Sequence, residues 1–265
     1  MSNRQQVNKE HYPPEMIGML ESIWNEGFLS PGGPEEVARI IGDHDLRDLN
    51  LLDFGCGSGG IDICLVLKHG AAHVTGVDVE EGVLSRAQEL VDKHKLIDRI
   101  KLVKLKPGPL PFPAGQFDAV FSKDSIIHIH DKHAIMAEIF RVLKPGGKFL
   151  ASDWLVSTEI LSPAMANYIE LEGLEFQMRT PAYYRDAMKR AGFTDIQIKS
   201  RNVWYRQEAR KEVAYLKGPS GEKVAERCGR ELIDENINTW EHMISVLDTG
   251  EHCPSHMYAL KPILK

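Results

Sequence analysis

The run Leu49-Asn50-Leu51-Leu52-Asp53-Phe54-Gly55-Cys56-Gly57-Ser58-Gly59-Gly60 constrains this chain more than any other stretch. A mostly apolar segment meets an acidic residue and then glycines at 55, 57, 59 and 60. That order predicts a buried strand, a tight turn and the start of a helix. Glycine lets the backbone bend sharply and lets a ligand lie against main-chain atoms with no Cβ between them. Alone the loop is ambiguous, because Gly55, Gly57 and Gly60 also satisfy the dinucleotide-binding pattern GxGxxG.

Three downstream segments narrow the choice. His73 to Val79 reads as a second strand, with Asp78 at its carboxyl end about 23 residues after Gly55. An acid there suits hydrogen bonds to a ribose diol. Gln116 to Ser122 reads as a fourth strand, and Leu143 to Leu150 as a helix exit, a Pro-Gly turn and a fifth strand. In this order the segments resemble a class I S-adenosylmethionine-dependent methyltransferase, from about Leu46 to Ile198. The resemblance implies an α/β fold: a Rossmann-like seven-stranded sheet with helices on both faces and a helical lid. It also implies S-adenosyl-L-methionine as cofactor. A nicotinamide enzyme is the competing reading of the loop.

Length and composition fit that class. A chain of 265 residues suits one large α/β domain with an embellishment, and 43% hydrophobic content supports a full core. The expected division is an N-terminal helical lid over 1–45 and a methyltransferase domain over 46–265, with helical insertions near 155–178 and 207–250. The sequence has no run of about 18 apolar residues that could cross a membrane. The polar start, Met1 to Glu10, lacks the apolar core of a signal peptide. Net charge of −6 argues against a nucleic-acid surface. Cys56, Cys64, Cys228 and Cys253 have no paired C-x-x-C spacing and read as free thiols of a reducing cytoplasm. The expected partner is a small-molecule methyl acceptor.

Further helices are expected over Glu15–Asn25, Pro34–Ile41, 61–69, 82–94, Lys132–Leu143, Ser157–Met178 and Thr180–Ala191. A third strand is expected over Ile100–Leu105, a sixth over Asp195–Lys199 and a last one over Ser255–Ile263, after a helix-rich stretch from about Gln207 to Asp248. The pieces outside the sheet are candidates to cover a substrate. The first of them, Met1 to Pro31, is expected to order when ligands bind, since its polar start and paired prolines give it little core of its own.

Within class I the N-terminal segment is the most specific. Tyr12-Pro13-Pro14-Glu15 precedes Gly27-Phe28-Leu29-Ser30-Pro31-Gly32-Gly33, and Ser122-Lys123-Asp124-Ser125-Ile126-Ile127-His128 follows later. This arrangement resembles the phosphoethanolamine N-methyltransferases, in which a lid tyrosine pairs with a histidine just after the fourth strand. The resemblance assigns the catalytic pair to Tyr12 and His128 and the substrate-binding aspartate to Asp124. His11 stands where that family has a substrate-binding glutamine. Cofactor contacts map onto Leu29, Ser30, Gly55, Asp78, Val79 and Lys123, and Gly57 joins them from the loop itself.

The pair makes chemical sense for a nitrogen acceptor. The sulfonium donor is already activated, so alignment of nucleophile, methyl and sulfur carries most of the catalysis. An alkyl amine with a pKa near about 10 arrives protonated and has no lone pair. A histidine, with an ordinary pKa of about 6.5, can take the proton directly or through water. A tyrosine hydroxyl closing over it would orient the imidazole and seal the site. Alternative roles stand beside these: Tyr12 as a surface aromatic, Asp124 as a helix cap, and His130 or His133 in place of His128. His252, Cys253 and His256 read as a loop without metal.

The chain also departs from the family pattern. The adenine-contacting aspartate falls near Lys106, followed by Pro107, which has no N–H to offer a ring nitrogen. These two positions complete the expected cofactor set. Of the phosphate-gripping residues, the lid tyrosine is Leu20, the tyrosine after the fifth strand is Trp154, and the arginine and tyrosine of the insertion fall near Leu174 and Phe176. Trp154 joins the expected substrate contacts. Glu170, Glu172 and Glu175 make the insertion acidic, which would repel a phosphate dianion and attract a cation. The first reading is therefore methylation of the nitrogen of a small amine: a phosphobase, an ethanolamine-like compound or an amino acid. Its alternatives are methylation of a thioether, oxygen or carbon of another metabolite, and a cofactor-binding protein without turnover.

Overall fold

The computed structural model describes residues 12–263; His11, with its expected substrate contact, lies outside them. Helices α1 (Pro14–Trp24) and α2 (Gly33–Ile41) precede the sheet. Strand β1 (Asn50–Phe54) runs through the glycine loop into α3 (Gly60–Leu67), followed by β2 (His73–Asp78), α4 (Glu81–Lys93) and β3 (Ile100–Lys104). Strand β4 (Phe117–Lys123) leads to a single 3-10 turn (Ile126–His128), then α5 (Lys132–Val142) and β5 (Leu143–Asp153). The remainder is α6 (Pro163–Glu172), α7 (Pro181–Ala191), β6 (Thr194–Ser200), α8 (Asn202–Lys217), α9 (Pro219–Cys228), α10 (Arg230–Asp248) and β7 (Ser255–Leu260).

The sheet has seven strands in the order β3-β2-β1-β4-β5-β7-β6. β1 to β5 pair in parallel, while β7 enters antiparallel between β5 and β6. Alternate residues feed two cores, as the two-residue period of a strand requires. Leu51, Phe121 and Leu150 face one core with α2, α3 and α8. Leu52, Val120 and Phe149 face the other with α5 and α7. The change of direction between β1 and β4 leaves a crevice at the strands' carboxyl ends, where open α/β sheets bind ligands.

Two expected elements differ. The helix expected over Ser157–Met178 is only α6, because each end has its own stop. Ser162 Oγ accepts from Met165 N–H at 3.1 Å with Pro163 in the first turn, and Gly173 takes the left-handed conformation at φ 66°. Residues 173–180 are irregular and run beside the segments that follow β4 and β5, where Gln177 N–H donates to Ile127 O and Val156 N–H to Arg179 O. The helix-rich stretch begins earlier than Gln207, at Asn202, and packs with α6 and α1 into a helical layer beside the crevice. Helix α1 is tied into that layer: Ile17, Met19, Leu20 and Trp24 are buried, and Trp24 Nε1 donates to Glu212 Oε1 at 2.6 Å.

Candidate active site

A cavity of about 440 Å³ opens where β1, β2 and β4 end, walled by Gly55, Gly57, Asp78, Val79, Leu105 and Lys123 among others. Gly55 has φ 78°, and a Cβ there would lie 2.1 Å from Ser125 Oγ, so no other residue fits without moving the next loop. Ser125 Oγ in turn donates toward Gly55 O (3.1 Å) and Lys123 O (3.0 Å), joining the two loops that flank the crevice.

Asp78 is organised by backbone. Its Oδ2 accepts from Gly57 N–H at 3.0 Å, and its Oδ1 from Val79 N–H at 2.7 Å and Glu80 N–H at 3.1 Å. Burial raises its pKa, and the three amide donors oppose the shift. A carboxylate offers about four lone-pair sites, so Asp78 keeps capacity for a ribose hydroxyl. The loop whose Gly55 and Gly57 present no Cβ, the carboxylate at the end of β2 and the cavity volume all fit S-adenosylmethionine.

A second cavity, also about 440 Å³, lies between the sheet edge and the helical layer. Trp24, Trp154, Phe176 and Trp240 contribute to its wall, with Glu172 and Glu235. Tyr12, Leu29, Ser30, Asp124, His128 and Leu174 line both cavities and so stand at their junction. Folding thus gathers the N-terminal segment, the loop after β4 and the irregular stretch after α6, which the sequence separates widely. Lys106 and Pro107 are exposed and line neither cavity; Leu105 is the residue of that loop in the wall.

The junction has a built polar floor. The buried Lys123 ammonium donates to Ser30 Oγ at 2.6 Å and to Asp124 Oδ2 at 2.7 Å. Ser152 Oγ donates to Asp124 Oδ1 at 2.8 Å, and Asp124 N–H donates to Ser152 O at 2.9 Å. Asp124 has φ 55°, an unusual conformation for a residue with a side chain, and these bonds hold it there. Its side chain is therefore engaged with β5 and Lys123 rather than with a helix N-terminus; Asp131 is the cap of α5.

His128 ends the 3-10 turn and is exposed, its ring 5.4 Å from that of Phe176. Beneath it lies a network that sequence patterns did not single out. Ile127 N–H donates to Asp153 Oδ1 at 3.1 Å, and Tyr184 Oη donates to Asp153 Oδ2. Lys132 Nζ donates to Ile126 O and Ile129 O at 2.6 Å each, and to Ile127 O at 3.2 Å. Burial pushes Asp153 up and Lys132 down, and the charge of each opposes the shift of the other. Asp153, at the carboxyl end of β5, could have been flagged by that position; nothing local marks Lys132. Tyr12 keeps its proton, because burial first and Asp78 second push its hydroxyl well above the ordinary tyrosine value.

Two expected bystanders are placed elsewhere. His252 is buried against Leu155 O, and His256 Nε2 pairs with Glu36 Oε1 at 2.6 Å, so they serve different parts of the fold. The four cysteines are free. Among the described residues no helix is long and apolar enough to cross a membrane.

Residues 52–151 match the family described as methyltransferase domain. The phosphoethanolamine N-methyltransferase of Triticum aestivum is 30% identical over 249 residues, covering 92% of this chain and 48% of that protein. That of Plasmodium falciparum is 26% identical, covering 81% of this chain and 80% of its own length. Phosphoethanolamine N-methyltransferase 2 of Haemonchus contortus, solved with S-adenosyl-L-methionine, superposes with a TM-score of 0.88 at 25% identity, over 99% of this chain and 60% of that one. The same enzyme solved with phosphomonomethylethanolamine and S-adenosylhomocysteine gives 0.85 at 26% identity, over 93% and 57%.

Residues 52–151 are thus a methyltransferase domain, and the sheet topology and the glycine loop with Asp78 are those of the class I S-adenosylmethionine-dependent methyltransferases. Within that class it resembles the phosphoethanolamine N-methyltransferases. It spans about half the length of the plant members.

Proposed function

We propose that the chain transfers the methyl group of S-adenosylmethionine to the nitrogen of an organic amine, with Tyr12 and His128 closing the site and His128 taking the proton. One observation carries this reading: both residues, with Asp124, stand where the cofactor cavity meets the second cavity. The methyl must cross that junction. The phosphoethanolamine N-methyltransferase relatives lend support, since they act on an amine nitrogen.

The bound donor supplies an electrophilic methyl on a sulfonium. The chain supplies the rest. Asp78 and the glycine loop hold the nucleoside end, Lys123 and Ser30 fix Asp124 beside the junction, and the Tyr12 hydroxyl remains a hydrogen-bond donor. An ammonium acceptor must lose a proton before its lone pair can attack, and His128 is the exposed imidazole at the junction. Asp124 is positioned to attract the acceptor's positive charge.

Methyl transfer from labelled donor to a panel of amines, thioethers and alcohols tests the reading. On a methylated amine, His128→Ala is expected to lower kcat by about 10²–10⁴-fold while cofactor-product affinity changes little. Tyr12→Phe should cost less, because the ring still fills the junction. Turnover of a thioether with no loss in His128→Ala would refute the assignment, since a thioether has no proton to remove.

A further inference from the structure

The second cavity carries information about the acceptor that the junction alone does not. Its charged lining among the described residues is Asp124, Glu172 and Glu235; no lysine or arginine contributes. Asp124 is matched by Lys123, which lines the first cavity only. Glu172 and Glu235 make no ion pair among the described residues. Glu172 Oε1 is shut off from solvent and makes no close hydrogen bond there, and the buried Tyr168 hydroxyl one turn earlier offsets its burial only in part. A buried carboxylate oxygen left in that state is costly unless a ligand completes it.

The rest of the wall is aromatic. Trp24 stacks on Trp240 with ring centroids 5.6 Å apart, and Trp154 meets Phe176 edge to face at 5.6 Å. The indole N–H of Trp24 points away to Glu212, which fixes the ring as part of the wall. Indole faces attract cations, and more strongly when water is excluded. Aliphatic residues such as Met16, Leu20 and Leu232 complete an apolar surface. A volume of about 440 Å³ exceeds what a two-carbon amine needs and falls within the range of sites for larger organic ligands.

We propose that the second cavity selects an amine cation carried on an apolar body and lacking phosphate, with Glu172 and the tryptophan wall as its specificity determinants. The proposal rests on the amine-methyltransferase reading and deepens it. A phosphate dianion placed here would face Glu172 and Glu235 with no lysine or arginine among the described lining residues to offset its desolvation. An alkylammonium would meet Glu172, Asp124 and indole faces, while its carbon body covers Leu20 and Leu232. Burial pushes the Glu172 carboxyl up to about 7, a shift that an incoming cation would reverse.

The test uses the full chain saturated with S-adenosylhomocysteine and three probes in calorimetry: 2-phenylethylamine, its neutral counterpart 2-phenylethanol, and O-phosphoethanolamine. The amine is expected to bind at least about tenfold more tightly than either other probe. Glu172→Gln should weaken amine binding by about tenfold without changing that of 2-phenylethanol or S-adenosylhomocysteine. Glu235→Gln, at an exposed position that the fold does not depend on, should give a smaller loss of the same kind. Tighter binding of O-phosphoethanolamine, or amine affinity indifferent to both substitutions, would overturn the proposal. Methyl transfer is read separately with S-adenosylmethionine. Selective amine binding without any N-methylated product would refute the amine-methyltransferase reading and leave the cavity's charge preference standing. Efficient N-methylation of O-phosphoethanolamine alone would do the reverse.

Discussion

Asp78, the carboxylate proposed to hold the ribose, is fixed by backbone. Three of its lone-pair directions are taken by amides of the loops after β1 and β2, so the carboxylate is oriented before any ligand arrives. Pre-orientation avoids the cost of ordering a side chain on binding. Hydrogen bonds to a charged group contribute about 1.5–3 kcal/mol, so Asp78→Ala should weaken S-adenosylhomocysteine by at least about tenfold. Part of that loss will come through Gly57, whose N–H loses its acceptor. Calorimetry on the variant gives the number, and circular dichroism should show the fold retained. Affinity equal to wild type would remove Asp78 from the cofactor site.

At the scale of elements, the 3-10 turn Ile126–His128 is the part most dependent on its surroundings. So short a helix has no stability of its own. It is held from below by Lys132, the side chain of the first residue of α5, and from the side by Asp153 at the end of β5. Lys132→Met keeps the chain length of the side chain but takes a donor from three carbonyl groups; Ile126 O and Ile127 O keep the N–H groups of Ile129 and Gln177, and Ile129 O is left without its bond. Each unsatisfied buried group costs about 1–3 kcal/mol. The expected outcome is a clear fall in thermal midpoint together with a lowered kcat, because His128 loses its platform, while S-adenosylhomocysteine affinity stays close to wild type. A variant with unchanged kcat would separate the turn from catalysis. Helix α1 depends on context in a different way. Any movement of it as a lid must expose Met19 and Leu20 and break the Trp24–Glu212 bond, so opening has a definite cost.

For the whole molecule, the carboxyls beneath the glycine loop link stability to pH. Asp53 and Asp62 are fully buried, and none of their oxygens has a hydrogen-bond partner among the described residues. Burial raises both, with neighbouring carboxylates adding to the effect. A carboxyl whose pKa is raised on folding gives stability that is complete below the unfolded value of about 3.9 and is lost as pH rises through the folded value. Asp62→Asn removes the titrating group at constant shape. Its thermal midpoint should exceed that of wild type by more at pH 8 than at pH 5. An equal gain at both pH values would show that Asp62 is not held protonated by the fold.

The sequence by itself determined the sheet and the glycine loop that faces the acid at the end of β2. Apolar strand patterns, the glycines at 55 and 57 and the acid at 78 act over short distances, and local rules of backbone geometry are enough to read them. The helix stops at Ser162 and Gly173 were equally local, although the sequence pattern around them suggested a longer helix. What only the tertiary structure decided was the company each residue keeps. Lys132 and Asp153 are unremarkable in sequence, and their grip on the His128 turn exists because α5 and β5 meet beneath it. Glu172 could have been one more charge on a solvated helix face, as Glu170 is; the packing of α6 against α10 turns it inward beside Trp24 and Trp240. Lys106 and Pro107 point the same way: position along the chain suggested them for the adenine, and the path of the loop after β3 put Leu105 in the cavity wall and left those two exposed. Burial and the pairing of distant side chains are properties of the packed chain, and no short-range pattern encodes them.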